Sequence, residues 1–185
     1  MNVPFRINGT QIETGRLVLR AFRQEDLADF YAYASVEGVG EMAGWKHHES
    51  PEESQKILDS FISQDKTFAI CLKETGKVIG SLGVEEYGME QALTEFTHYK
   101  GREIGYVLSR EYWGRGLMPE AVRAVTDLCF EKLGFDFVSA GHFPGNERSA
   151  RVIEKCGFAY LFTYDVPLTE TKTVPASTFI RYKEN

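Results

Sequence analysis

The chain has 185 residues, 43% hydrophobic and 26% charged, an ordinary globular composition long enough to bury about 70% of the unfolded surface in one domain. Its 27 acidic residues against 21 basic ones give a formal charge of -6, the wrong sign for a general binder of nucleic acid or anionic membrane, which needs Lys and Arg to displace counterions. The acidic balance suits a cationic substrate, or solubility alone. Cys71, Cys129 and Cys156 are widely spaced without a C-x-x-C pair, so neither a disulfide framework nor a zinc site is expected. The N-terminal residues lack a basic-then-apolar secretory pattern, and no apolar run is long enough to span a bilayer. These features point to a reduced, cytoplasmic, single domain over residues 1–185.

In chain order, Leu17, Leu19 and Ala21 alternate with Val18 and Arg20 as a first strand. Asp26 to Ser35 reads as a helix with Leu27, Phe30, Tyr31 and Ala34 on one side. Ser50-Pro51-Glu52-Glu53 offers a capping serine, a proline at the first helical position and a reciprocal glutamate. The helix that follows carries Leu58, Phe61 and Ile62 on one face. Thr67 to Leu72 and Lys77 to Glu86 read as strands joined by a hairpin-like turn. Tyr87 to Gly101 is a long polar connection and therefore a candidate functional loop. Arg102 to Ser109 reads as a strand, Glu111 to Leu117 as a glycine-containing loop. Pro119 to Leu133 reads as a helix with Val122, Val125, Cys129 and Leu133 at core spacing, stopped by Gly134. Phe135 to His142 is a strand, Glu147 to Lys155 a short helix, and two final strands lie around Pro167 to Pro175. Helices interspersed with a mostly antiparallel sheet, and one late βαβ unit, make a mixed α/β architecture.

The strand-to-helix loop around Gly114, Arg115 and Gly116 has the makings of an anion site. Glycines let backbone N–H groups turn toward a ligand, and a helix N-terminus adds unpaired donors and a positive dipole end. A Walker loop is excluded because no Gly-Lys-Ser/Thr follows. A dinucleotide fingerprint needs a third glycine where Pro119 stands, and Asp136, about 20 residues on, begins a strand rather than ending one. Taken alone, the loop reads as a tight strand-to-helix turn more than as a ligand site.

Tyr112-Trp-Gly-Arg-Gly-x-x-x-Glu-Ala, preceded by Glu103-Ile-Gly-Tyr-Val-Leu, resembles the acetyl-CoA motif of the GNAT N-acetyltransferase superfamily. Asn146-Glu-Arg-Ser149-Ala-Arg-Val-Ile-Glu-Lys-Cys-Gly157-Phe158 resembles its closing motif. Glu13-Thr14-x-Arg16-Leu17-x-Leu19-Arg20 with Glu25-Asp26 is similar to the opening of the RimJ/RimL-like branch, which includes ribosomal-protein N-acetyltransferases. The three motifs cover nearly the whole chain in the right order. The resemblance implies an α+β GNAT fold, with a mixed, mostly antiparallel sheet splayed between its fourth and fifth strands and flanked by helices.

The resemblance also implies residue roles. The glycine loop would hold the CoA pyrophosphate through Arg115, Gly116, Leu117 and Met118, with Gly114 shaping the turn. The pantetheine arm would pair with backbone near Tyr106, Val107 and Leu108, and meet Asn146 and Ser149. Many members carry a tyrosine seven residues after that asparagine to protonate the leaving thiolate; this chain has Ile153. The co-substrate would be acetyl-CoA, with no metal. The partner would be an amine acceptor, either a peptide N-terminus or a small amine such as an aminoglycoside, a polyamine or an amino-acid-like metabolite, with no direct nucleic acid or membrane contact, in a monomer or homodimer.

The chemistry requires a free amine to attack the thioester. An alkylammonium group, with a pKa of about 10.4, must first lose a proton, so a carboxylate or imidazole base is needed. Glu103, on the strand leading to the thioester, is one candidate and a surface glutamate the alternative. His142, ending the neighbouring strand, is another, or else a partly buried hydrogen-bonding histidine. Trp45, Lys46, His47 and His48 lie in the loop that often shapes the acceptor pocket in this branch. Glu85, Glu86, Glu90 and Glu95 could gather around that pocket or merely solvate the surface. A cysteine nucleophile is rejected: Cys129 lies on an apolar helix face, Cys71 in a strand, and Cys156 at a helix C-terminus that disfavours thiolate. The competing class is a non-catalytic acetyl-CoA-binding module.

Overall fold

The computed structural model describes residues 1–88, 94–169 and 172–184. They form eight strands and four α-helices: β1 Ile12–Glu13, β2 Leu17–Ala21, α1 Leu27–Ala34, α2 Pro51–Gln64, β3 Thr67–Leu72, β4 Val78–Glu85, β5 Gly101–Leu108, α3 Leu117–Asp127, β6 Phe137–His142, α4 Glu147–Lys155, β7 Ala159–Thr169 and β8 Lys172–Tyr182. The expected elements are all present, and β1, too short to show periodicity, is added by pairing with β2.

The contacts divide these elements into two compact units, each assembled from separated stretches of chain. The first comprises Phe5–Gly83 and Tyr106–Ala124, the second Met1–Pro4, Val84–Gly105 and Val125–Asn185. β4, β5 and α3 each run from one unit into the other.

In the first unit β1, β2, β3 and β4 pair antiparallel in that order, and Ser109 N–H donates to Ile79 O at 2.7 Å just beyond β5. β4 and the end of β5 approach so closely that a Cβ on Gly80 would lie 2.4 Å from Val107 O. Helices α1 and α2 bring Phe30 and Phe61 against Phe22, with ring centroids 5.3–5.7 Å apart. Burying each such ring contributes roughly 1.5–3 kcal/mol. Arg20 grips the buried Asp26 with two bonds of 2.8 Å, and Asp26 also accepts from Arg23 N–H, setting the entry to α1. Ser50 Oγ accepts from Glu53 N–H at the start of α2, but the Glu53 carboxylate takes Glu49 N–H rather than closing the capping box on Ser50.

In the second unit the order is β5-β6-β8-β7, with β5 and β6 parallel and the other pairs antiparallel. These β5 and β6 are the expected fourth and fifth strands, displaced by one because β1 precedes them. Their register runs from Gly101 opposite Phe137 to Ile104 opposite Ala140, while β5 continues to Leu108. Pro175 is tolerated within β8 because β6 pairs with β8 only from Ser177 onward, so its missing N–H breaks no bond to β6.

Two expectations are corrected. Helix α3 begins at Leu117 rather than Pro119, and it ends in a wide turn, Leu128–Lys132, in which Leu133 N–H reaches back five residues to Leu128 O. That π-type turn rotates the last residue off the apolar face. Val122, Val125 and Cys129 are buried, whereas Leu133 is 42% exposed. The Tyr87 to Gly101 connection, which reads as a polar stretch, is not polar throughout. Tyr87 and Phe96 are buried with Phe137 and Ile180, and the Asn2 amide pairs with the Tyr87 backbone in both directions.

Candidate active site

The first unit holds the glycine loop. After β5, Trp113 Nε1–H donates to Leu108 O at 2.8 Å, turning the chain, and the Arg115 guanidinium lies over the Tyr112 ring at 5.2 Å. Gly114 and Gly116 adopt φ of 77° and 74° and are exposed with Arg115 between them. The next two residues, Leu117 and Met118, are buried. As first-turn residues of α3 they have no helical partner for their N–H groups. Pro119, third in the helix, has no N–H to leave unpaired.

A brace lies behind this loop. Arg16 Nη1 donates to Arg115 O at 2.9 Å, and Arg16 Nε donates to Glu120 Oε2 at 2.7 Å. Glu120 Oε1 also accepts from Thr14 Oγ1 at 2.6 Å and from Arg16 N–H at 2.8 Å. Burial alone would raise the Glu120 pKa, but these donors and the Arg16 charge outweigh it and hold the carboxylate below its ordinary value. In a planar trans peptide the carbonyl and the following N–H point in opposite directions. With Arg115 O held by Arg16, the Gly116 N–H is directed away from the brace.

The second unit carries Glu103 and His142. Glu103 stands opposite Ser139 in the parallel register, on the half-buried side of β5. Burial, reinforced by the charge of Glu85, pushes its carboxyl up to about 7. Burial and the Glu103 charge also raise the Tyr164 phenol. His142 stacks on Phe179 with centroids 5.3 Å apart, and its Nδ1 lies 3.1 Å from Phe143 O. Three residues beyond Ser139 on β6, His142 points to the opposite face from Glu103. The two candidate bases therefore do not meet. Asn146 caps α4, accepting from the N–H of the buried Ser149 at 3.1 Å. Ile153, in place of the expected tyrosine, is 1% exposed and apolar, so it supplies no proton. Glu86 lies 3.7 Å from the Arg102 guanidinium. The side chains of Glu90 and Glu95 fall outside the described residues.

The 38–48 segment belongs to the first unit. His47 Nδ1 meets Glu41 Oε1 at 2.7 Å, and that bond, opposed by burial and helped by backbone N–H groups that include those of His47 and Gly38, lowers the Glu41 carboxyl to about 2. Trp45 is half-buried over Gly40, where a Cβ would lie 2.2 Å from the indole. His48 turns inward: it is buried between Phe30 and Trp45, with Nδ1 2.6 Å from Ser54 Oγ. Burial lowers its pKa. Lys46 pairs with Glu49 at the surface.

All three cysteines are buried, and burial raises the Cys71 thiol and pushes Cys129 up to about 12. Among the described residues, no group of three or more His, Cys, Asp or Glu could hold a metal ion, and no helix is long and apolar enough to cross a membrane. Thr14, Arg16 and Glu120 stand within the motifs but have no role that the sequence alone assigns. Their signal was there: an arginine and a glutamate, each at a fixed place in its own motif.

A family model described as an acetyltransferase (GNAT) domain matches residues 16–159. The uncharacterized N-acetyltransferase YoaA of Bacillus subtilis is 28% identical over 152 residues, covering 80% of this chain and 81% of its own. A GNAT-family acetyltransferase from Bacillus anthracis superposes with a TM-score of 0.81 at 20% identity, over 95% of this chain and all of that one. The ribosomal-protein-S5-alanine acetyltransferase of Vibrio fischeri gives 0.70 at 19% identity, over 95% and 98%. The spermidine N-acetyltransferase of Vibrio cholerae, solved with CoA and spermine, gives 0.72 at 15% identity, over 92% and 97%. With the family model spanning most of its length, the chain belongs to the GNAT acetyltransferase family and is an acetyl-CoA-dependent N-acetyltransferase.

Proposed function

We propose that residues 1–185 act as one catalytic domain in which an acceptor's primary amine attacks the thioester of acetyl-CoA directly, with Glu103 as the general base. The carrying observation is the Glu103 carboxyl, held at about 7 on the strand that continues to Tyr106, Val107 and Leu108. A base poised near neutrality is about half ionised near pH 7 and more basic than an ordinary carboxylate, which suits it to drawing a proton from an ammonium group. The positions from Glu103 to Tyr106 span about 10 Å of extended strand, so the proton would pass along a chain of waters rather than directly.

The pyrophosphate of CoA is assigned to the N–H groups of Gly116, Leu117 and Met118, with Arg115 as the cationic contact and Gly114 as the turn. Tyr106 and Val107 offer their backbone to the pantetheine arm. Leu108 contributes its N–H only, because Trp113 already occupies its carbonyl. Asn146 and Ser149 are assigned to the same arm. N–H groups along β5 stabilise the oxyanion of the tetrahedral intermediate. His142, on the other face of its strand from Glu103, is assigned no share in removing the amine proton.

For the acceptor, Trp45 and His47 form the recognition surface, with His48 supporting Trp45 from beneath. The carboxylates Glu85 and Glu103 favour a cationic amine. Peptide N-termini and polyamines both fit, and the fold neighbours include enzymes named for each class. The test is thiol release from acetyl-CoA over N-terminal peptides and polyamines. Turnover confined to amine acceptors, and lost in Glu103→Gln, supports the reading. Thiol release independent of any amine, or full turnover in that variant, refutes it.

A further inference from the structure

We propose that Arg16 is a positioning residue for CoA binding: clamped by Glu120, it fixes the Arg115–Gly116 peptide so that the Gly116 N–H faces the pyrophosphate. This deepens the assignment of the glycine loop and rests on it. An exposed ion pair by itself contributes little, and the Arg16 side chain is about half exposed. The Glu120 carboxylate, however, is mostly covered, and it receives Thr14 Oγ1, Arg16 N–H, Arg16 Nε and Arg16 Nη2, all within 2.8 Å. Glu120 thereby neutralises Arg16 and sets the plane of its guanidinium. The fork that remains donates to Arg115 O at 2.9 Å.

The geometry gives Arg16 an indirect part. Its donors are directed at a carboxylate and a carbonyl, and the carbonyl it holds belongs to the peptide whose N–H lies in the anion loop. Gly116, at φ 74°, supplies no rotational stop of its own, since glycine visits that region freely. Without Arg16 the peptide can rotate, and the loop then presents a carbonyl where the ligand needs an N–H. Thr14 extends the clamp into the β1–β2 turn, its hydroxyl also accepting from Leu17 N–H at 3.0 Å.

The experiment measures calorimetric affinity for acetyl-CoA, and kcat/KM for acetyl-CoA and for S-acetylpantetheine, which lacks the pyrophosphate. The proteins are the full-length wild type, Arg16→Gln, Glu120→Gln, Thr14→Val and Gly116→Val. Loss of a charge-assisted hydrogen bond that orients the loop should weaken acetyl-CoA binding by roughly 10- to 100-fold in Arg16→Gln and Glu120→Gln. Thr14→Val should weaken it less, in the same direction. At saturating acetyl-CoA, kcat should stay within about twofold. Activity with S-acetylpantetheine should be unchanged, an outcome that general loss of structure would not produce. Should Arg16→Gln fold poorly, Glu120→Gln and Thr14→Val report the same preference for the pyrophosphate-bearing donor. Tighter binding in Glu120→Gln would overturn the proposal, because it would make Arg16 a direct phosphate ligand held back by Glu120. Equal losses with both acetyl donors would also overturn it. If Gly116→Val loses acetyl-CoA while Arg16→Gln retains it, the brace fails and the loop assignment stands. If Gly116→Val binds normally, the loop assignment itself fails.

Discussion

Glu103 and His142 point to opposite faces of adjacent parallel strands. Glu103 is registered with Ser139, and His142, an odd number of residues further along β6, stacks on Phe179 at the other side. Only one of them can serve an amine arriving on a given face. The Glu103 carboxyl, raised to about 7 by burial and by Glu85, is the base we propose for that task.

The first prediction concerns the pH profile. A base acts only when ionised, so the kcat/KM for the acceptor should fall as pH drops below about 7, where Glu103 takes up its proton. Glu103→Gln should lower turnover by about 10²- to 10⁴-fold and replace the limb near 7 with one set by the acceptor amine's own pKa. His142→Ala should keep the limb. Thiol-release rates from about pH 6 to 9 make the measurement. A limb near 7 that survives in Glu103→Gln and vanishes in His142→Ala would exchange the two assignments.

The same shift predicts a stability change of defined sign. A folded carboxyl at about 7, against an ordinary value of 4.5, holds its proton more tightly in the native state than in the unfolded one. Folding therefore binds protons between those values, and stability falls as pH rises through that window. Above it, the ionised Glu103 costs the native state up to about 3 kcal/mol. Glu103→Gln should be more stable than wild type at alkaline pH and lose that advantage below about pH 4. Urea unfolding at both ends of the range would test this. An advantage independent of pH would show that the carboxylate carries no such cost.

Close approach of β4 to β5 gives the third prediction. A Cβ at Gly80 would fall 2.4 Å from Val107 O and 3.1 Å from Leu108 Cα, both backbone atoms. Neither can yield without moving β5, so Gly80→Ala should destabilise the protein by about 1–3 kcal/mol, the usual cost of overpacking. Moving β5 also moves the segment assigned to the pantetheine arm, so KM for acetyl-CoA should rise. Differential thermal unfolding and initial-rate kinetics would register both effects. An unchanged Tm would show that the strands separate there without penalty.

What could be read in advance was whatever is decided locally. Ser50 and Pro51 start α2 through their own side chains, and α4 follows from Asn146 as its cap. The motif segments were equally local, which is why the loop at Gly114 and Gly116 and the candidacy of Glu103 emerged from sequence. The clamp was not visible in this way, because Arg16 and Glu120 are 104 residues apart and meet only when β2 lies beside α3. The burial of Tyr87 and Phe96 depends on Phe137 and Ile180, and the polar residues around them conceal it. His47 and His48 are adjacent in sequence, yet one pairs with Glu41 and the other packs against Phe30. That difference follows from the His48 N–H bonding to Ala34 O, a tertiary contact. Leu133 was misjudged because helical spacing assumes 3.6 residues per turn, and the last turn of this helix is wider.

The last prediction separates the acceptor side from the cofactor side. Gly40 lies beneath Trp45, and a Cβ there would sit 2.2–2.6 Å from three atoms of the indole. The six-membered ring is rigid and cannot bend out of the way, so Gly40→Ala must displace the whole side chain. Trp45 packs on His48 with centroids 5.1 Å apart, so part of that contact is lost as well. Trp45 is one of two tryptophans, and Trp113→Phe would leave its fluorescence isolated for comparison with and without Gly40→Ala. The expected result is a shifted Trp45 emission, a raised KM for the amine and an unchanged Kd for acetyl-CoA. His47→Ala should act in the same sense, by freeing Glu41 and loosening the segment that carries the indole. Equal effects on amine and acetyl-CoA would detach Trp45 from acceptor recognition and leave it a role in packing alone.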